Sequence, residues 1–248
     1  PEANYSKEIV FGEFHNKTKN YFSGPKSELP EESGGWCDYM VELEFFKSMP
    51  EGIRKGAWFL TKVTMTGQER NPETGRYPLL NWDDPATNPY WKKNIESSDW
   101  VFNYDDGYYE TKGISSASGK TRMIFRYADI LLLYAEAVAY GTKSIDDLAF
   151  DCMWRVQERA GVPLISKDVT KEYFQKAVLD ERRWETAGME HSCMGRFFTM
   201  QRHEILHLQK NYRDAAELSL NPNLTLSEEF YYFPIPDNEL LIVPGLKD

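Results

Sequence analysis

The fold is decided by one stretch, Phe125-Arg126-Tyr127-Ala128-Asp129-Ile130-Leu131-Leu132-Leu133-Tyr134-Ala135-Glu136-Ala137. Its apolar side chains recur at the three- and four-residue spacing of one helix face. Ala128 and Ala135 are small enough to let a second helix approach closely. The spacing predicts a helix that ends at Gly141, since glycine is the favoured residue just past a helix end.

The sequence on either side of this helix divides the chain into two regions. Three more helices are predicted after it, over residues 144–160 with Ser144 as N-cap, over 171–188 and over 195–210. Before it, Gly, Pro, Asn and Asp interrupt every candidate element, and only short ones fit, such as strands over 8–14 and 57–63. The prediction is a mostly α fold of helical pairs with long irregular aromatic loops and a few short strands. Residues 1–123 form the loop-rich ligand-binding region and 124–248 the C-terminal helical region.

The composition excludes several classes of protein. Lys and Arg number 29 against 39 Asp and Glu, so the net charge is −10, which disfavours a nucleic-acid partner. The three cysteines show no C-x-x-C spacing, so neither a disulfide framework nor a thiolate zinc site is indicated. No apolar run approaches the roughly 20 residues that span a bilayer.

Aromatic residues in the polar loops between positions 36 and 109 are the leading candidates for ligand binding. Aromatic residues make up 15% of the chain, more than a core of this size needs. Amphipathic rings beside hydrogen-bonding side chains suit sugars or peptides. Some of these rings are expected to be core anchors instead, because Trp is strongly buried on average. The candidate binding residues are Trp36, Arg76, Asn81, Trp82, Asp83, Tyr90 and Trp91.

The segment His203-Glu204-Ile205-Leu206-His207 matches the H-E-x-x-H pattern of zinc peptidases. On a helix, both imidazoles would share one face, and Glu228 or Glu229 would supply a third ligand. The competing interpretation places these groups on the solvated face of an amphipathic helix. Zinc catalysis by His203, Glu204 and His207 is therefore an alternative hypothesis.

Other charged clusters carry weaker signals. The turns at Asp83-Asp84 and Asp105-Asp106-Gly107 are rich in oxygen ligands that suit Ca²⁺, but they lack the calcium-loop pattern, and turn geometry explains them equally well. Arg126, Glu136 and the cluster Glu181-Arg182-Arg183 with Glu185 are predicted to form a buried ion network between helices rather than an anion site.

Five blocks in order resemble conserved segments of SusD/RagB-family proteins. The deciding stretch resembles the family's R-Y-A-[ED]-x-L-L-x-Y-A-E-A helix. The other four blocks resemble its R-x-R-A-G-x-P, E-R-R-x-E-L, R-x-x-D-L-x-R and F-P-I-P segments, at 155–163, 179–185, 196–202 and 232–236. The resemblance is firm over 124–239 and looser before it.

The resemblance implies a SusD-like α-α superhelix of tetratricopeptide-like pairs, of which this chain is the C-terminal portion, with the N-terminal half absent. It implies a surface-exposed outer-membrane lipoprotein, held by an N-terminal lipid anchor that this chain lacks. Such a protein captures an oligosaccharide, or alternatively an oligopeptide, and delivers it to a SusC-like TonB-dependent transporter. It implies binding without catalysis and without a cofactor. It also weakens the zinc hypothesis, because His203 and Glu204 fall at an ordinary helix end in the family.

Overall fold

The computed structural model describes residues 6–16, 18, 25–29, 31, 35–38, 40–64, 69–75, 78–81, 89–92, 100–103, 108–111, 118–188, 190–208, 213, 215–220, 231, 235–243 and 245. The helices are α1 (Leu43–Ser48), α2 (Ile53–Trp58), α3 (Tyr127–Tyr140), α4 (Asp147–Ala160), α5 (Lys171–Thr186), α6 (Glu190–Arg202), α7 (Ala215–Leu220) and α8 (Asp237–Ile242). The strands are β1 (Ile9–Glu13), β2 (Phe59–Leu60), β3 (Lys62–Thr64), β4 (Leu79–Asn81), β5 (Tyr90–Trp91), β6 (Trp100–Asn103), β7 (Tyr108–Thr111) and β8 (Arg122–Arg126). The prediction of a mostly α fold with a few short strands is confirmed.

Local capping signals set the ends of the central helices. Asp129 Oδ2 accepts a hydrogen bond from the Arg126 backbone N–H at 2.8 Å, which holds the start of α3. The N-cap of α4 is Asp146, whose Oδ1 accepts from the Ala149 N–H at 2.8 Å. The prediction of Ser144 as N-cap was therefore wrong by two positions. Thr170 is the N-cap of α5, and its Oγ1 accepts from the Tyr173 N–H at 3.2 Å.

The end of α6 differs from the prediction. The helix was expected over 195–210, but it ends at Arg202. Glu204 takes a left-handed conformation with φ of 55°, and the Ile205 N–H donates to the Met200 carbonyl at 2.8 Å. This is the hydrogen bond of a helix C-terminal motif, formed here without glycine. His203 and Glu204 therefore lie in a turn.

The main core lies where α3 packs against α4 and α5. Leu132, Ala135, Met153 and Phe174 are completely buried there, and small alanines on α3 let its neighbours approach. A second cluster forms around α1 and α2, with Phe45, Phe46, Trp58 and Phe59, and Trp184 of α5 packs against it. This second cluster joins the loop-rich region to the helices.

The strands among the described residues form three small sheets. β1 pairs antiparallel with β8, β2 pairs with β5, and a four-stranded sheet has the order β4-β3-β7-β6. Since residues 59–64 run from β2 directly into β3, the two latter sheets are joined through one stretch of chain. The expected strand over 8–14 is confirmed as β1, whereas Ala57 and Trp58 of the other expected strand belong to α2.

Candidate ligand-binding site

Trp36 is held on a short segment that is fixed to the core. The Cys37 N–H donates to the carbonyl of Leu29 at 2.9 Å, and Leu29 is completely buried. A Cβ atom on Gly35 would lie 2.2 Å from the same carbonyl oxygen, so only glycine permits this approach. The Trp36 side chain is 50% exposed. A fixed backbone therefore presents a half-exposed indole to the surface.

A backbone hydrogen bond joins the chain that follows Trp36 to the residue before β5. Met40 is 53% exposed, whereas Val41 is completely buried and its N–H donates to the Pro89 carbonyl at 3.3 Å. The structure thus brings Val41 next to Pro89, which directly precedes β5. The flexible thioether of Met40 adapts its shape to a partner, which makes it a candidate contact that sequence analysis missed.

In this region Tyr90 is buried and Trp91 is partly buried. Tyr90 is 8% exposed, and Trp91 packs against Phe45 and Phe59 with ring centroids at 6.4 and 5.2 Å. The turn that follows α5 covers the Trp91 ring, because a Cβ atom on Gly188 would lie 2.4 Å from it. The burial of Tyr90 and the ring packing of Trp91 favour the core-anchor role that the sequence left open for part of the set.

Of the remaining predicted ligand residues, Asn81 is among the residues that the structure describes. Asn81 ends β4 and pairs with Lys62 of β3, at the edge of the four-stranded sheet. Arg76, Trp82 and Asp83 lie outside the described residues, as do the candidate calcium turns at Asp84 and 105–106. Their roles remain predictions.

A buried ion network joins the loop-rich region to the helices. Glu185 of α5 accepts hydrogen bonds from Arg54 at 3.0 Å, Arg126 at 2.8 Å and Arg159 at 2.5 Å. Arg54 also donates to Glu181 at 2.5 Å. Burial alone would raise the pKa of Glu185, but the guanidinium groups of Arg126, Arg159 and Arg54 lower it below its ordinary value. The predicted architectural role of these charges is confirmed.

A second network surrounds Glu136 of α3. Its carboxylate pairs with Arg182 and with Arg202, and the His203 Nε2 lies 2.8 Å from its Oε1. The His203 ring also packs against the Tyr140 ring, with centroids 4.0 Å apart and the ring planes tilted by 41°. Burial lowers the pKa of His203, and the positive charges of Arg202, Arg182 and Arg196 lower it further. A neutral His203 that donates its Nε2 proton to Glu136 fits this geometry.

The helix that the zinc hypothesis requires is not formed. α6 ends before His203, which is engaged by Glu136, and His207 lies on a separate short turn over residues 206–208. The expectation that both imidazoles share one helix face was therefore wrong. Glu228 and Glu229 are outside the described residues, and within the described part of the chain no group of three or more His, Cys, Asp or Glu is placed to hold a metal ion.

Known proteins share this fold. A SusD superfamily protein from Bacteroides vulgatus superposes with a TM-score of 0.64 at 19% identity, covering 98% of this chain and 51% of its own. One from Parabacteroides distasonis gives 0.66 at 18%, covering 96% and 48%. Surface glycan-binding protein A from Bacteroides thetaiotaomicron gives 0.61 at 18%, covering 98% and 51%. The chain thus spans about half the length of these solved relatives.

No curated protein matches the sequence. No helix among the described residues has the length and apolar character to cross a membrane. The SusD family model matches residues 49–248, which include every helix from α2 to α8. The chain belongs to the SusD family.

Proposed function

We propose that this protein is a cell-surface glycan-binding protein that captures an oligosaccharide and delivers it to a TonB-dependent transporter of the outer membrane. The observation that carries the proposal is the half-exposed indole of Trp36 on a segment fixed to buried Leu29. Family membership supports it, as do two structurally similar proteins that are named surface glycan-binding protein A.

The chemistry of the site suits binding without turnover. A flat indole face packs against the apolar face of a sugar ring, and neighbouring polar side chains bond its hydroxyl groups. Asn81, Arg76 and Asp83 are the proposed polar contacts, and Trp82 is a second proposed stacking ring. Tyr90 and Trp91 act by supporting the backbone that carries Trp36. The proposed capture takes place at the outer surface of the outer membrane. We expect an N-terminal lipid anchor to hold the protein there.

Calorimetric titration of the full-length polypeptide with a panel of oligosaccharides and short peptides tests the proposal. Trp36→Ala is expected to weaken the glycan hit at least tenfold, which is about 1.4 kcal/mol and typical of a Trp anchor. Tyr173→Ala removes an aromatic ring that is 59% exposed on α5, away from the Trp36 segment in sequence, and serves as the matched control.

The outcomes separate the competing functions. Glycan binding that is lost in Trp36→Ala and kept in Tyr173→Ala supports the proposal. Peptide binding without glycan binding changes the cargo to an oligopeptide. Binding of neither class, or a glycan affinity that is equal in both variants, contradicts the proposed site.

A further inference from the structure

The chain around Trp36 is strongly acidic. Residues 27–46 contain six carboxylates and no Lys, Arg or His. The six are Glu28, Glu31, Glu32, Asp38, Glu42 and Glu44. This stretch therefore carries a net charge of −6, more than half of the net charge of −10 of the whole chain. A ligand that reaches the Trp36 indole approaches a concentrated negative charge.

Two of these carboxylates, those of Glu31 and Asp38, are exposed. Glu42 has a counter-ion, because its Oε1 lies 3.3 Å from the Arg213 Nε. No ion pair joins Glu31 or Asp38 to a Lys or Arg whose side chain the structure describes. The negative charge of these two residues is therefore open to the solvent and to a ligand.

The backbone keeps both carboxylates close to the indole. Consecutive Cα atoms are about 3.8 Å apart, so the Cα atoms of Asp38 and Trp36 lie within about 8 Å of each other. Glu31 follows Leu29 by two residues and is within the same reach of it. The Leu29 carbonyl accepts the Cys37 N–H at 2.9 Å, which brings this part of the chain back to the residue after Trp36. The three side chains of Trp36, Glu31 and Asp38 form what we call the Trp36 surface.

The Trp36 surface favours uncharged sugars over acidic ones. Carboxylates accept charge-assisted hydrogen bonds from sugar hydroxyl groups, which are stronger than bonds between neutral groups. The face of an indole carries partial negative charge and attracts cations, not anions. A uronate or sulfate group would meet this ring and two carboxylates together, and juxtaposed like charges suppress binding. At physiological ionic strength the Debye length is about 8 Å, so salt screens this repulsion only in part.

We propose that the Trp36 surface takes uncharged oligosaccharides and excludes glycans that carry uronic-acid or sulfate groups, with Glu31 and Asp38 as the specificity-determining residues. This inference rests on the proposed glycan-binding function and narrows its cargo to one chemical class. Trp36 supplies the stacking face for any sugar ring. The two carboxylates decide which charge the ring may carry.

Calorimetry on the full-length polypeptide tests the inference with chemically matched probes. The probes are the uncharged oligosaccharide that binds best and its derivative in which the primary hydroxyls are oxidised to carboxylates, and the screen also includes sulfated glycans. At an ionic strength of about 0.01 M, where the Debye length is about 30 Å, the oxidised form is expected to bind at least tenfold more weakly. At about 1 M, where the Debye length is about 3 Å, the difference should shrink severalfold.

Two double variants locate the source of the discrimination. Glu31→Gln/Asp38→Asn keeps the side-chain shapes, removes two negative charges and should reduce the difference between the probes at least threefold. Glu158→Gln/Asp168→Asn removes two exposed carboxylates elsewhere, so it changes the net charge equally and should keep the full difference. A loss of affinity that comes only from the missing hydroxyl contact would respond neither to salt nor to the first variant.

The outcomes separate this inference from the function on which it rests. Equal affinities for the two probes, or a screen in which an acidic glycan binds best, would overturn the inference and leave glycan binding intact. A difference that both double variants retain equally would also overturn it, because the discrimination would then arise away from Glu31 and Asp38. Binding of no glycan would contradict the proposed function and the inference with it.

Discussion

Removing the carboxylate of Glu185 should be among the most destabilising single changes in the helical region. The Glu185 side chain is 3% exposed. Without its carboxylate, the buried guanidinium groups of Arg54 and Arg126 each lose one of their negatively charged partners. Breaking a buried ion pair by removing one partner costs about 3–5 kcal/mol. Arg54 keeps Glu181 and Arg126 keeps Asp129, so the lower end is expected, at about 3 kcal/mol for Glu185→Ala.

Urea unfolding followed by tryptophan fluorescence measures this loss. With a slope of about 3 kcal/mol/M, the midpoint falls by about 1 M urea. Glu185→Gln retains the side-chain volume, so the destabilisation that it shares with Glu185→Ala comes from charge and not from a cavity. Asp151→Ala removes an exposed acid of α4 and should change stability by less than about 1 kcal/mol. A loss in Glu185→Ala no greater than in Asp151→Ala would refute the reasoning.

Two further predictions concern His203 and Gly188. The pKa of His203 is lower in the folded protein than in the unfolded chain, so just below pH 6.5 the unfolded state binds more protons than the folded state. The contribution of His203 to stability is therefore present above that pH and is lost as the pH falls. His203→Gln, which still donates to Glu136, should flatten the fall in unfolding free energy between pH 7.5 and 5.5, and an unchanged slope would contradict the assignment. Gly188→Ala places a Cβ against the Trp91 ring at a φ of 66° and should cost about 1–3 kcal/mol in urea unfolding. Gly56→Ala, where a Cβ meets nothing within 4 Å on α2, should be neutral or stabilising and is the control.

The helices that could be predicted from the sequence are those whose signals are local. The apolar spacing of α3 lies within the helix that it defines, and the start of α5 at position 171 was likewise predicted from residues in its own first turns. The end of α6 could not be predicted, because a non-glycine residue, Glu204, adopts the left-handed conformation there. Apolar residues continue after Arg202, so the sequence predicts a longer helix than the structure forms.

The candidate site was harder to predict because exposure depends on distant partners. Trp36 and Trp91 both lie among turn residues in the sequence, yet one is half-exposed and the other is covered by Phe45, Phe59 and the turn after α5. No residue near Trp91 in the chain indicates that this turn packs on its ring. The buried role of Glu185 was predictable in kind, since a dense charge cluster on an amphipathic helix suggests an ion network. Its partner Arg54, 131 residues away, was not.

The Glu185 network also explains how a region of short elements keeps a defined position on the helices. The Glu185 carboxylate accepts hydrogen bonds from Arg54 of α2, Arg126 at the end of β8 and Arg159 of α4. Arg159 also donates to the carboxylate of Glu8, just before β1, at 2.6 Å. A buried ion pair contributes little net stability, because desolvation offsets its attraction, but it strongly disfavours any arrangement that leaves a charge unpaired. The network therefore acts chiefly by fixing α2 against α5. α2 leads directly into β2, which pairs with β5, and the Val41 N–H donates to the Pro89 carbonyl just before β5. Fixing α2 therefore also fixes the chain that leads to Trp36.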